Sequence, residues 1–252
     1  MLSATDIASL IAVLVMAACV PYAARFEFLA RDTRTWWMSL ASGVTVGYVF
    51  LGLLPKVIDS EKKVRDAAKG VLPLLEDHVL FIALLGMLVF YAIALARHRA
   101  AVRDRETGGD EPSGGTVTLF WTSVASYVGY MFLIGYVVQD AGEQDAIRML
   151  VLAGILAIHF MTTDFGLGHG RVSTPGPASI GRMLLAVALL VGWAVGSALE
   201  LDRSSVAIAS SFLAGAILLT VLSDELPSER DAKFLPFAGG SIASGLLLAT
   251  IG

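Results

Sequence analysis

The chain is 252 residues long, 56% of them drawn from Ala, Val, Ile, Leu, Met, Phe, Trp, Tyr and Cys and only 16% charged, with a mean hydropathy of +0.74. A water-soluble domain is closer to about 45–50% apolar and about 25% charged, so the composition is that of an all-α polytopic membrane protein. The net charge of −4 without a strongly basic segment disfavours a nucleic-acid partner, and the single cysteine, Cys19, excludes an internal disulfide framework or a thiolate metal cluster.

A membrane-spanning helix needs about 20 mostly apolar residues, because the hydrocarbon core is roughly 30 Å thick and a helix rises about 1.5 Å per residue. Eight segments approach that length: 7–24, 36–54, 79–96, 116–138, 149–168, 183–199, 204–223 and 234–251. The first is expected to be a helix rather than a cleaved signal peptide, since no basic cluster precedes it and no small-residue cleavage site follows. The fifth is apolar but carries His159 and Asp164. Strands of a β-barrel are excluded, because the runs are continuously apolar and do not alternate.

Two connections are long. Residues 55–78, with "KVIDSEKKVRDAAKG", have the makings of a short amphipathic surface helix, whereas 97–115, "RHRAAVRDRETGGDEPSGG", mixes both charge signs with Gly and Pro and predicts a flexible cytoplasmic loop. If the N-terminus is outside, eleven Lys and Arg fall in the inner connections, among them Arg25, Arg97 and Arg171, and seven in the outer ones, most of them between Lys56 and Lys69. The positive-inside bias therefore favours both termini outside, in a membrane expected to be the bacterial inner (plasma) membrane.

The second and seventh segments echo one another. Gly43 precedes Leu54 and Pro55 by the same interval that separates Gly215 from Leu226 and Pro227. If these are counterparts, eight helices divide as three, two and three, and an odd offset of five helices inverts the second triplet relative to the first, a plan that recurs in transporters. The alternative is coincidence, since Gly and Leu-Pro are common near helix ends.

With "SGVTVGYVFLGLLPK" in helix two, "ASSFLAGAILLTVLSDELPSE" in helix seven, eight segments and a long loop after the third, the chain resembles the ZIP (Zrt-/Irt-like) family of divalent-metal transporters over nearly its whole length. The resemblance implies a three-two-three arrangement with inverted outer triplets and a transport site on helices four and five. Family members carry a pattern like HNxxDG in helix four, followed by an Ile-Gly, and one like HExPHxxGD in helix five. Here Ser126 stands at the His position, Tyr127 at the Asn and Tyr130 at the Asp, with Ile134 and Gly135 retained. In helix five His159 and Gly166 are retained, while Phe160 replaces the Glu, Thr162 the Pro, Thr163 the second His and Leu167 the Asp. His159 is thus the one motif ligand kept, although a divalent ion stripped of water needs several oxygen or nitrogen ligands.

On a period of 3.6, Ser123, Tyr127 and Tyr130 share a face of helix four with Ser126 at its margin, and His159, Thr162, Thr163 and Gly166 share a face of helix five. If the two faces meet, Tyr130 sits beside His159. Ionisable residues within spanning helices face the bundle or a watery path, which makes His159 and Asp164 candidate metal ligands. The alternative for the hydroxyls of Ser126, Tyr127, Tyr130, Thr162 and Thr163 is interhelical hydrogen bonding rather than a transport pathway. Asp164 is about 140° round the helix from His159, so the two are not expected to bind one ion directly, and pairing with His169 or Arg171 competes with a pathway role.

Asp224 and Glu225, near the inner end of helix seven, are candidates to line a cation exit, since acids at a helix C-terminus oppose its dipole. Lys56 replaces the family acid after Leu-Pro in helix two and works against cation entry. Glu76, Asp77 and His78 fit helix capping, and Arg97 to Arg99 fit a snorkelling anchor. Gly166, Gly168 and Gly170 lack the Lys and spacing of a phosphate loop. No nucleophile and base stand together, so an enzyme is not expected. The function expected is transport of a divalent metal, zinc among them, or another small cation through the seam of helices four and five, and the alternative is a non-transporting degenerate relative that binds or interacts. No resident cofactor is expected. The partners expected are the lipid bilayer, the metal ion as substrate and a second copy in a homodimer.

Overall fold

The computed structural model describes residues 4–22, 31–55, 57–58, 79–107, 114–142, 146–162, 175–199, 203–221 and 233–251. Among them are eight α-helices and no strand. They are α1 (Ala4–Tyr22), α2 (Arg31–Tyr48), α3 (Val79–Thr107), α4 (Gly114–Gly142), α5 (Ala146–Thr162), α6 (Pro175–Ala198), α7 (Arg203–Thr220) and α8 (Phe234–Ile251).

Four stretches are long and apolar enough to cross a membrane: Trp36–Leu53, Val79–Arg103, Gly114–Gln139 and Gly176–Ala198. Asp6–Pro21, Met149–Met161, Val206–Thr220 and Phe234–Thr250 are apolar but shorter. The exterior suits lipid. Phe81, Leu84, Leu85 and Leu88 of α3, Met183, Val187 and Val191 of α6, and Phe234, Leu235, Ile242 and Leu246 of α8 are exposed, a density of large apolar side chains that water-soluble surfaces do not carry.

Two helices outrun their apolar segments. Residues 97–107, expected to open a flexible loop, continue α3. Ala, Arg and Glu are strong helix formers, and extending a formed helix adds a hydrogen bond per residue without a new nucleus. The tail of the predicted loop, 114–115, opens α4. Helix α6 starts at Pro175, well before residue 183, because Pro is preorganised for the first helical position, where its missing N–H costs nothing. The predicted amphipathic segment and Lys56 lie outside the described residues apart from Pro55, Val57 and Ile58, as do Glu76, Asp77 and His78.

Helix α2 widens into a π turn over Val49–Leu53, where Leu54 N–H donates to the Val49 carbonyl. Pro55 follows directly; it has no N–H to give and its ring crowds the carbonyl four residues back, and a wider turn accommodates it. Val221, at the end of α7, is also π-wound.

The helices pack in pairs: α2 on α8, α3 on α7, α4 on α6 and α1 on α5, with α1 also against α6. Three of the pairs close through reciprocal glycines. A Cβ on Gly43 would collide with the Phe237 carbonyl of α8, and one on Gly240 with the Leu40 carbonyl of α2. Gly86 meets Phe212 of α7 while Gly215 meets Ala83 of α3, and Gly135 meets Leu189 of α6 while Gly192 meets Phe132 of α4. Each glycine lies three residues after the carbonyl that its partner glycine touches. Lipid supplies no hydrophobic force between helices, so close backbone approach and the packing it permits hold such pairs together. Ser241 adds a hydrogen bond from its hydroxyl to the Gly43 carbonyl, 3.0 Å.

The α2–α8 and α3–α7 clasps repeat in register. Leu40, Gly43 and Val49 of the second helix and its π turn lie 172 positions before Phe212, Gly215 and Val221, and Ala83 and Gly86 of α3 lie 154 positions before Phe237 and Gly240 of α8.

Candidate functional site

Helix α4 presents Ser123, Tyr127 and Tyr130 inward, at steps of four and three residues that keep one face, and all three are buried. The Tyr130 hydroxyl lies 3.2 Å from His159 Nε2 of α5, and the imidazole tautomer sets which of the two donates. The imidazole is completely buried.

Aromatic rings fill the space around this contact. Phe90 of α3 stands edge-on to Tyr127 with ring centres 5.4 Å apart, tilts over Tyr130 at 5.9 Å and reaches Phe212 of α7 at 6.4 Å. Tyr127 and Tyr130 meet at 6.1 Å, and Phe160, fully buried, packs 5.8 Å from the His159 ring. Such edge-on pairs each contribute about 0.5–1.5 kcal/mol beyond their buried area.

At one end of the seam Arg97 Nη1 of α3 donates to Ser123 Oγ, 3.3 Å. Arg97 is half-buried, while His98 and Arg99 are exposed, and its bond to the buried Ser123 hydroxyl is charge-assisted.

The other predicted residues fall differently. Ser126 is half-buried and its hydroxyl donates to the Thr122 carbonyl, 2.9 Å, along its own helix, so it does not reach across the seam. Thr162 closes α5, with its side chain outside the description, and Thr163, Asp164, Gly166, Asp224 and Glu225 lie outside the described residues. The retained Ile134 and Gly135 have packing roles: Ile134 is buried in the core, and Gly135 makes the α4–α6 clasp.

The Tyr130–His159 pair offers one imidazole nitrogen and one phenol oxygen. Zinc takes four ligands and larger ions more, and among the described residues no group of three His, Cys, Asp or Glu stands together. An ion held here would complete its shell with water or with groups outside the described residues.

A second polar centre was not legible in the sequence. Trp193 Nε1 of α6 donates to Ser9 Oγ of α1 at 2.9 Å, and the single Ser9 proton is shared between Gln139 Oε1 of α4, 2.7 Å, and the Asp6 carbonyl, 2.9 Å. Gln139 Nε2 in turn donates to Asp6 Oδ1, 3.4 Å. Nearby, the Tyr136 hydroxyl donates to the Leu199 carbonyl, 3.2 Å, at the end of α6. Only a polar residue in each of three apolar helices signals this node, and sequence spacing cannot show that they converge. No family model matches the chain, and no curated protein matches it.

Proposed function

We propose that the chain is an eight-helix, ZIP-like transporter that carries a divalent metal or another small cation along the seam of α4 and α5. The triplets α1–α3 and α6–α8 are inverted repeats that alternate around the middle pair, both termini face outward, and the protein works as a carrier rather than an enzyme, as a homodimer in a bacterial plasma membrane. The reading rests on one observation: the glycine clasps of α2 on α8 and α3 on α7 recur at constant offsets. Exchange of α2 with α7 and α3 with α8 maps one clasp onto the other, as a two-fold axis between repeats requires, and the same exchange would map the α1–α5 pair onto the α6–α4 pair. Transporters built this way bind their cargo where the repeats meet, and there Tyr130 and His159 touch.

A second reading has its own support. Tyr130 and Phe160 pack against the fully buried His159, and Phe90 and Tyr127 cover Tyr130 in turn, which favours a relative that keeps the architecture as a binding or interaction protein.

Uptake of zinc, cadmium, manganese, iron(II) and cobalt into proteoliposomes separates the two. Transport predicts uptake above protein-free vesicles for at least one ion, and a loss of about tenfold or more in His159→Ala protein. No uptake of any ion by folded, reconstituted protein would leave the second reading standing.

A further inference from the structure

Between α2, α4, α5 and α7 lies a partly open pocket of about 50 Å³, lined among others by Ile134, Val138, Leu156 and Leu213 and by Tyr48 and Leu53. Its lining residues are apolar except for Tyr48 and the half-buried Ser210 of α7. Tyr48 is more than nine-tenths buried, with a relative exposure of 8%, and neither hydroxyl has a hydrogen-bond partner among the described residues. A hydroxyl as buried as that of Tyr48 costs about 1–3 kcal/mol where nothing hydrogen-bonds it, and such groups are rare in folded proteins.

The backbone is shaped to make this site. In a regular α-helix Tyr48 and Leu53 would point about 140° apart, but the π turn between them brings both to one face, and such turns recur at functional sites. Gly52 leaves room for the tyrosine ring, since a Cβ there would strike Tyr48 Cδ2 at 2.8 Å.

We propose that this cavity is a binding site for a small neutral molecule with an apolar body and one hydroxyl or carbonyl group, about the size of a two-carbon alcohol. Among the described residues no charged side chain lines the walls, and an unpaired charge in apolar surroundings is prohibitively desolvated, so the lining favours a neutral guest over an ion. The two hydroxyls select one polar group. An engineered cavity of about 150 Å³ holds benzene, so a space of about 50 Å³ suits roughly three non-hydrogen atoms. A guest hydrogen-bonded to Tyr48 and Ser210 would bridge α2 and α7, one turn from the Tyr130–His159 contact. The site stands whether or not α4 and α5 carry an ion.

Ethanol and xenon test it on the full chain in detergent micelles, with empty micelles as the blank. Saturation-transfer NMR should show saturable ethanol binding at about millimolar or weaker, the ceiling for so few atoms, and the xenon-129 shift should show a saturable site of the same occupancy. Tyr48→Phe should weaken ethanol about 2- to 10-fold, the worth of one net hydrogen bond, and leave xenon unchanged, while Leu213→Trp should abolish both. Ethanol transfer no greater than that of empty micelles, with or without xenon binding, would overturn the proposal, the former case meaning that the hydroxyls hold only water. So would saturable ethanol binding that Tyr48→Phe does not move. Should Leu213→Trp fail to fold, the Tyr48→Phe contrast between the two probes decides alone.

Discussion

Substitution of Gly215 by Ala tests the packing argument most directly. The new Cβ would overlap the carbonyl oxygen and carbon of Ala83 and press on Met87 N, all backbone atoms of α3, so no rotamer change relieves it. The helices must part by about 1 Å, and a gap of that size forfeits a quarter to a half of the dispersion energy of each contact across the interface. Overpacking of this kind costs about 1–3 kcal/mol, and backbone against backbone belongs at the upper end. Helix propensity returns about 1 kcal/mol when Gly becomes Ala. The net expectation is a loss of roughly 2 kcal/mol, or roughly 4–8 °C in melting temperature for a chain of this size. Gly43→Ala, its counterpart against Phe237, should lose a similar amount.

The protein carries its own controls. A Cβ on Gly129 or Gly154 meets nothing within 4 Å, so the propensity gain stands alone and Gly129→Ala and Gly154→Ala should melt a few degrees higher than the parent. Thermal unfolding of all four variants in one detergent, followed by circular dichroism, reads the difference. If Gly215→Ala and Gly43→Ala melt with Gly129→Ala, glycine does not hold these helix pairs together and the paired-clasp account of the fold is wrong.

Single cysteines at Gly109 and Gln144 in a Cys19→Ser background should be labelled by an impermeant thiol reagent from opposite faces of the membrane, Gly109 from the cytoplasm; labelling from the same face refutes eight spans. Tyr130→Asp would place a carboxylate opposite His159 at a cost of roughly 3 kcal/mol if uncompensated, so the variant should melt below the parent in chelator and regain several degrees with zinc or cadmium by mass action. The parent should respond little, and a variant that shows no metal-dependent recovery refutes an ion-binding seam. Ser9→Ala strands Trp193 Nε1 and removes a donor to Gln139, which should lower stability by about 1–3 kcal/mol and change the tryptophan emission, whereas an unchanged melt and spectrum would mean that the node is not formed in solution.

The sequence alone determined what depends on local order along the chain. Apolar runs report helices long enough to cross a membrane whatever their neighbours, so an all-helical chain with candidate spans was legible from composition and length, and a period of 3.6 placed Ser123, Tyr127 and Tyr130 on one face before any packing was known. The echo of Gly43 with Gly215 was visible as spacing, but its meaning was not: that both glycines admit a partner's backbone depends on α8 and α3, which lie far along the chain. Helix ends escaped for a similar reason, since residues 97–107 are polar enough to read as loop yet are carried on by the helix already formed before them.

Tertiary structure decided whatever requires distant side chains to converge. It brought Phe90 over the tyrosines with Phe212 against it, turned Arg97 onto Ser123, gathered Ser9, Gln139 and Trp193 from three helices, and set Tyr48 and Ser210 on one pocket with no hydrogen-bond partner among the described residues. Hydroxyls, indoles and lone histidines are written identically in a sequence whether they bind a ligand or brace a helix pair. What separates the two is which atoms lie within about 3 Å of them, and in this chain that depends on the glycine contacts that set how closely its helices approach.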